Sequence, residues 1–464
     1  MKKNLKILSF VFCMILSLNI TAQNRYLASW ESIDSRPVPS WFTDAKFGIF
    51  IHWGLFSVPS WGPVTGNTYE KYAEWYWYRQ SSRGEPYQSF VSFHNRTFGE
   101  KVQYQDFVND FKAEMFDPDK WAEIIRQSGA KYVVLTSKHH EGFALWPSAQ
   151  SWNWNSMDVG PHRDLAGDLS KSVKAKGLHM GFYYSLYEWF NPLYAASPSR
   201  YVDEHMIPQL KDLVLRYNPD IVWADGEWDY QSETWKSTEF LAWLYNDSPV
   251  KENVVVNDRW GKETRSKHGG FCTTECDLVG DANASGAKID HPWEECRGIG
   301  GSFGYNRNEN LEQYETSGSL VHILIEKVAR GGNLLLNIGP TADGRIPVIM
   351  QQRLKDIGDW LSVNGESIYG TKAWTNAPPI HKSTKIFFTV HGNDLFAIVT
   401  SWQDEPIIIN GMKGASEVVM LGYPGKIRYS LSGSKIKIFP PVITPANNPC
   451  QYAWVFKIRD AVKQ

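Results

Sequence analysis

From Lys46 onward, short runs of apolar, β-branched and aromatic residues alternate with stretches whose apolar positions recur every three to four residues. The runs are KFGIFIHWG from Lys46, KYVVLTSKHH from Lys131, HMGFYYSLYEW from His179, DIVWADGEW from Asp220, NVVVNDRW from Asn253, FCTTECD from Phe271, SFGYN from Ser302 and GNLLLNIGP from Gly332. Between several of them the period changes. PDKWAEIIRQSGA puts Trp121, Ile124 and Ile125 on one helical face, and YVDEHMIPQLKDLVLRYN, TEFLAWLYND and GSLVHILIEKVARGG follow the same rule. Eight strands alternating with helices predict an α/β fold, a (β/α)8-like barrel. FCTTECD and SFGYN are the least strand-like of the eight, being neither long nor uniformly apolar. Past about Gly370 the pattern becomes short strands broken by Gly, Pro and Asn, which reads as a C-terminal β-sandwich over 370–464 behind a barrel over 23–369.

The first residues, MKKNLKILSFVFCMILSLNITAQ, carry Lys2, Lys3 and Lys6 ahead of an apolar stretch from Ile7 to Leu18 that closes on Thr21 and Ala22. A basic start, a short apolar segment and a small residue predict a secretory signal peptide over 1–22, too short for a membrane span, and hence export to the periplasm or the exterior. The predicted mature chain keeps Cys272, Cys276, Cys296 and Cys450, too few in this length for a disulfide scaffold. With 48 Lys+Arg against 50 Asp+Glu and no runs of positive charge, nucleic acid is not the expected partner. The aromatic share is 14%, with 21 Trp, a surplus suited to stacking on the C–H faces of sugars.

Each strand-like run ends in polar or aromatic residues, and in a barrel those ends share one mouth, where active sites of the fold lie. IVWADGEWDY, from Ile221, mixes Asp225, Glu227 and Asp229 with Trp223 and Trp228 at such an end. Gly226 turns the chain there, which makes Asp225 the acid aimed at a substrate and leaves Glu227 and Asp229 as loop acids or partners for arginine. A metal site would need converging ligands, yet IHW offers one histidine, and adjacent His139 and His140 diverge on a strand. Cys272, Cys276, His291 and Cys296 have the wrong spacing for common zinc sets. The expected chemistry is therefore that of two carboxyls, as in most glycosidases, with no metal and no cofactor. The stretch from Gly54 to Asp117, long for a loop and rich in Trp and Tyr, is expected to wall part of the pocket.

In order along the chain, FGIFIHWGLFSVPSW, YAEWY, TSKHHEGFALWPS, GLHMGFYYSLYEW, WADGEW, NDRWG, WEECRGIGGSFGYNRNE and GGNLLLNIGPTADGRIP resemble the α-L-fucosidases of glycoside hydrolase family 29. The resemblance implies a retaining exo-glycosidase on a (β/α)8-like barrel followed by a β-sandwich, acting on fucosylated glycans. It implies Asp225 as nucleophile, and His52, Glu74, Trp75, His139, His140, Tyr184 and Arg259 as residues that hold or border the sugar, with Trp223 and Phe303 lining the pocket. In the family it resembles, the general acid/base comes from a variable loop between the NDRW and WGY-like segments; here Glu275 and Glu294 are both candidates, Glu295 stands third, and Glu275 is favoured for its place at a strand end soon after Arg259. SFGYN stands where the family more often has Trp-Gly-Tyr, so Phe303 can shape the pocket differently. The alternatives are a glycosidase for a related sugar such as galactose, and an inert glycan-binding barrel.

Overall fold

The computed structural model describes residues 25–81, 87–276 and 291–462; the expected signal peptide lies outside them. Eight strands form one sheet: β1 (Phe47–Ile51), β2 (Tyr132–Lys138), β3 (His179–Ser185), β4 (Ile221–Asp225), β5 (Val255–Val256), β6 (Cys272–Glu275), β7 (Trp293–Gly298) and β8 (Asn333–Ile338). They run in the order β5-β4-β3-β2-β1-β8-β7-β6, and every paired neighbour is parallel. The sheet curls until its edges meet, where the Phe271 N–H donates to Val256 O at 3.1 Å. Helices pack outside it, among them Pro118–Gln127, capped by the Asp117 side chain on the Lys120 N–H at 3.0 Å, and Ser317–Ala329, capped by Thr316. In YVDEHMIPQLKDLVLRYN the regular helix Ile207–Tyr217 begins only one residue before Pro208. Proline has no N–H for the preceding turn, and Val202–Met206 is wound as a π-helix instead.

One predicted strand is corrected. SFGYN is irregular chain, and the seventh strand is Trp293–Gly298, whose sequence WEECRG lacks an apolar run. Its charges are met within the fold: Glu294 turns into the barrel, and Glu295 takes the Thr274 hydroxyl and stands 3.5 Å from Arg297. The barrel interior is filled by large rings. Tyr132 crosses it because Gly48 leaves room; a Cβ there would lie 2.2 Å from the ring.

Beyond the helix Val348–Asn364 the strands are antiparallel, in a five-stranded and a three-stranded sheet. Strand Asp394–Val399 shows how the second unit is held. Leu395, Ala397 and Val399 face the core between the sheets, whereas Phe396 and Ile398 join the barrel's core, the two-residue alternation of a strand buried on both faces. Trp360 Nε1 ties the units by donating to Ala453 O at 2.9 Å. No helix among the described residues is long and apolar enough to cross a membrane.

Candidate active site

The C-terminal ends of the strands open into a cavity of about 390 Å³. Asp225, the last residue of β4, lies on its wall and is buried. The chain must leave at once, and Gly226 does so with φ +73, where an added Cβ would sit 2.5 Å from Tyr187 Cβ. Tyr183 donates its hydroxyl to Asp225 Oδ2 at 2.9 Å, and Arg259 Nη1 donates to Oδ1 at 2.7 Å. Burial alone would raise the Asp225 pKa, but the guanidinium of Arg259, with that of Arg265 behind it, holds the carboxyl well below the usual carboxylate range. Glu227, two residues on, shows the opposite balance: burial pushes its pKa up, and its one strong partner is Arg265 Nε at 2.5 Å.

Arg259 does more than pair with Asp225. Its Nη2 donates to Glu275 Oε2 at 3.2 Å, its Nε to Thr273 Oγ1 at 2.9 Å, and its plane lies 4.6 Å from the Trp223 ring centroid. One rigid fork therefore spans two carboxylates that come from the ends of β4 and β6. Glu275 Oε1 also accepts from the Tyr72 hydroxyl at 3.0 Å, and the carboxyl keeps access to the cavity.

Two imidazoles have their tautomers set by neighbours. Asn337 Nδ2 donates to Phe303 O at 2.6 Å, so its Oδ1 faces His52 and accepts from Nδ1 at 2.7 Å. Ser185 gives its proton to Tyr187 O at 2.7 Å and accepts from His140 Nδ1 at 2.6 Å. Burial holds both rings neutral, with the His52 pKa lowered to about 3 and that of His140 well below its ordinary value. Each therefore keeps Nε2 as an acceptor, and that of His140 stands 3.9 Å from Asp225 Oδ2. His139 lies beside them, its Nδ1 3.4 Å from Glu141 Oε2. Such neutral acceptors beside an ionised acid suit hydroxyl groups.

Glu74 and Trp75 reach the cavity from the long loop after β1. Glu74 Oε2 accepts from Ser302 Oγ at 3.0 Å and from the Gly304 N–H at 2.8 Å, which ties that loop to the one carrying Phe303. Phe50, Tyr183, Trp223 and Phe303 make an aromatic wall. Thus His52, Glu74, Trp75, His139, His140, Trp223, Asp225, Arg259, Glu275 and Phe303 meet in one cavity.

Two candidates do not. Tyr184 points away from it, fully buried, with its hydroxyl on Gln209 Oε1 at 2.8 Å; Tyr183 is the tyrosine at the cavity, because neighbours on a strand face opposite sides. Glu294 lies deeper in the barrel, where Tyr132 donates to Oε2 at 2.5 Å and Trp223 Nε1 to Oε1 at 3.0 Å. Residues not anticipated as site residues also line the cavity: Tyr69, Tyr72, Arg79, Tyr183, Trp228 and Arg265. Tyr183 was legible only as half of a Tyr-Tyr pair, and Tyr72 as part of YAEWY.

Burial of Glu294 carries a stability consequence. Its pKa is raised from an ordinary 4.5 to about 7. A group raised in the fold stabilises it fully below the unfolded value, and that stability is lost as pH rises through the folded value. Glu294→Gln, which imitates the protonated acid, should therefore flatten the fall in Tm between about pH 4.5 and 7, to which this group contributes at most about 3.4 kcal/mol of stability. Thermal melts across that range in both proteins test it; parallel curves would contradict the assignment.

Cys272, Cys276, Cys296 and Cys450 are free, and among the described residues no three His, Cys, Asp or Glu are grouped to hold a metal ion. Two family profiles match the chain: alpha-L-fucosidase over residues 13–366 and the alpha-L-fucosidase C-terminal domain over 381–459. An alpha-L-fucosidase of Dictyostelium discoideum is 43% identical, covering 97% of this chain and 98% of that protein. Tissue alpha-L-fucosidase of Homo sapiens is 42% identical over 94% and 92% of the two chains. A solved Thermotoga maritima alpha-fucosidase in complex with a mechanism-based inhibitor is 35% identical and superposes with a TM-score of 0.79, covering 94% of this chain and 100% of that one.

Proposed function

The chain belongs to the alpha-L-fucosidase family, and from that premise we propose that it is an exported, retaining exo-α-L-fucosidase that cleaves terminal α-L-fucosyl residues from glycans. The observation that carries the reading is the pair Asp225 and Glu275, joined by one guanidinium at the edge of a cavity with an aromatic wall. Asp225, ionised, attacks the anomeric carbon as the bond to the leaving oxygen breaks, and Glu275 gives that oxygen its proton. Glu275 then takes a proton from the water that attacks the fucosyl-enzyme, Asp225 leaves, and fucose departs with its original configuration. Tyr183 and Arg259 hold the nucleophile in line, while neutral His52 and His140 accept hydroxyl protons of the sugar. The aromatic wall of Phe50, Tyr183, Trp223 and Phe303 suits the apolar methyl that distinguishes fucose from galactose. Residues 1–22 act as the export signal, and mass spectrometry of the secreted protein should find Gln23 or a close neighbour as the first residue.

An aryl α-L-fucoside should be hydrolysed with α-fucose as the first anomer seen by NMR, and EDTA should leave the rate unchanged. Release from an aryl galactoside alone would move the reading to another sugar, and loss of turnover with EDTA, restored by a divalent ion, to a metallohydrolase.

The paired tyrosines offer a sharper contrast. Tyr183→Phe removes a donor to the nucleophile and should lower kcat by roughly tenfold or more, the worth of a hydrogen bond to a charged group. Tyr184→Phe leaves Gln209 Oε1 without that donor, so about 1–3 kcal/mol of stability should go while kcat and KM stay near wild type. Kinetics and melts of both variants decide it, and equal kinetic losses would refute the assignment of the two faces.

A further inference from the structure

Two large aromatic side chains at the mouth of the cavity remain open to solvent, Tyr69 at 54% and Trp228 at 38% exposure. Both are set on ordered ground. Tyr69 belongs to the short helix Thr68–Lys71, closed at its start by a reciprocal pair in which Asn67 Oδ1 accepts from the Glu70 N–H at 3.1 Å and Glu70 Oε2 from the Asn67 N–H at 3.2 Å. Beneath it the buried guanidinium of Arg79 donates to the carbonyls of Tyr69 and Glu70, the latter at 2.6 Å, and reaches Tyr72 O at 3.5 Å. Trp228 follows the Gly226 turn, and its ring is held by Trp75, His140 and Tyr187 at 5.9, 5.4 and 5.8 Å between centroids.

The position of Tyr69 relative to the chemistry is the informative part. Its ring meets Tyr72 edge-on at 5.8 Å, and Tyr72 donates its hydroxyl to Glu275. If Glu275 protonates the leaving oxygen, whatever is attached to that oxygen must extend on the side of Glu275, which is the side of Tyr69. A rigid, half-exposed aromatic face at that point suits the C–H face of a pyranose ring and offers little to a polypeptide or a simple alcohol.

We propose that Tyr69 is the stacking face for the leaving group, and that it takes a sugar ring there, a hexose or N-acetylhexosamine. Tyr72 and Arg79 are positioning residues for this platform. The inference rests on the fucosidase reading and on Glu275 as the acid/base.

α-L-Fucosyl fluoride, which has no sugar as its leaving group, separates the two. The comparison substrate is the fucosylated disaccharide that the wild type cleaves fastest among the linkage isomers. For Tyr69→Ala, kcat/KM on the disaccharide should fall by about tenfold, chiefly through KM, while that on the fluoride changes by less than about threefold. Tyr69→Phe, which keeps the ring, should stay near wild type on both. An equal fall on the fluoride would mean that the Tyr69 ring shapes the fucose pocket, and an undiminished rate on the disaccharide would mean that it touches no sugar; either overturns the platform. A wild type that hydrolyses neither compound would overturn the fucosidase reading itself, and the platform with it.

Discussion

Asp225→Gly should abolish hydrolysis of an activated aryl fucoside, lowering kcat by ~1,000-fold or more while the melting curve stays cooperative. The bond this carboxylate makes to the sugar exists only along the reaction path, so its loss falls on kcat rather than on binding. Its removal also frees the Arg259 fork and the Tyr183 hydroxyl, leaving two donors around a space the size of a small anion. Azide should enter that space and restore part of the rate. It attacks from the face that Asp225 used, inverts the centre once, and yields β-L-fucosyl azide. Activity retained above a few per cent, without azide, would remove Asp225 from the role.

The second large effect concerns Glu275, and it should depend on the leaving group. A poor leaving group needs the proton most, so Glu275→Ala should lower kcat/KM on fucosylated oligosaccharides by roughly 100-fold or more while fucosides of acidic phenols form the intermediate nearly as fast as in wild type. Azide should assist this variant as well, but by attacking the β-linked fucosyl-enzyme, a second inversion that gives α-L-fucosyl azide. The two azides, told apart by NMR, assign the two carboxyls independently of any rate. Should Glu294→Ala show the leaving-group dependence while Glu275→Ala resembles wild type, the acid/base would have to be Glu294. In the structure both Glu294 oxygens are taken up by Tyr132 and Trp223 inside the barrel, whereas Glu275 faces the cavity.

Much of this protein was legible in its sequence because local pattern carries local structure. The apolar runs around Ile49, Val134, Phe182, Val222 and Leu335 became strands β1 to β4 and β8, since a strand buried by its neighbours must be apolar along its length. The helical period around Trp121 and Ile125 survived for the same reason. Asp225 stood out because an acid at the end of such a run, followed by a glycine, has few structural uses. What the sequence could not decide was direction and depth. Tyr183 and Tyr184 are the same residue type side by side, and only the pairing of β3 with β2 and β4 turns the first toward Asp225 and the second toward Gln209. Glu275 and Glu294 sit on neighbouring strands, yet one ends its strand at the mouth and the other lies near the start of its own, so the parallel register alone separates a carboxyl in the cavity from one capped within the core. The seventh strand itself escaped notice, because Glu294, Glu295 and Arg297 are polar residues whose partners come from β2, β4, β6 and within β7. Convergence of Tyr72 on Glu275 and of Arg265 on Asp225 likewise arises from segments far apart in the chain, and no local pattern encodes a contact that only the closed barrel creates.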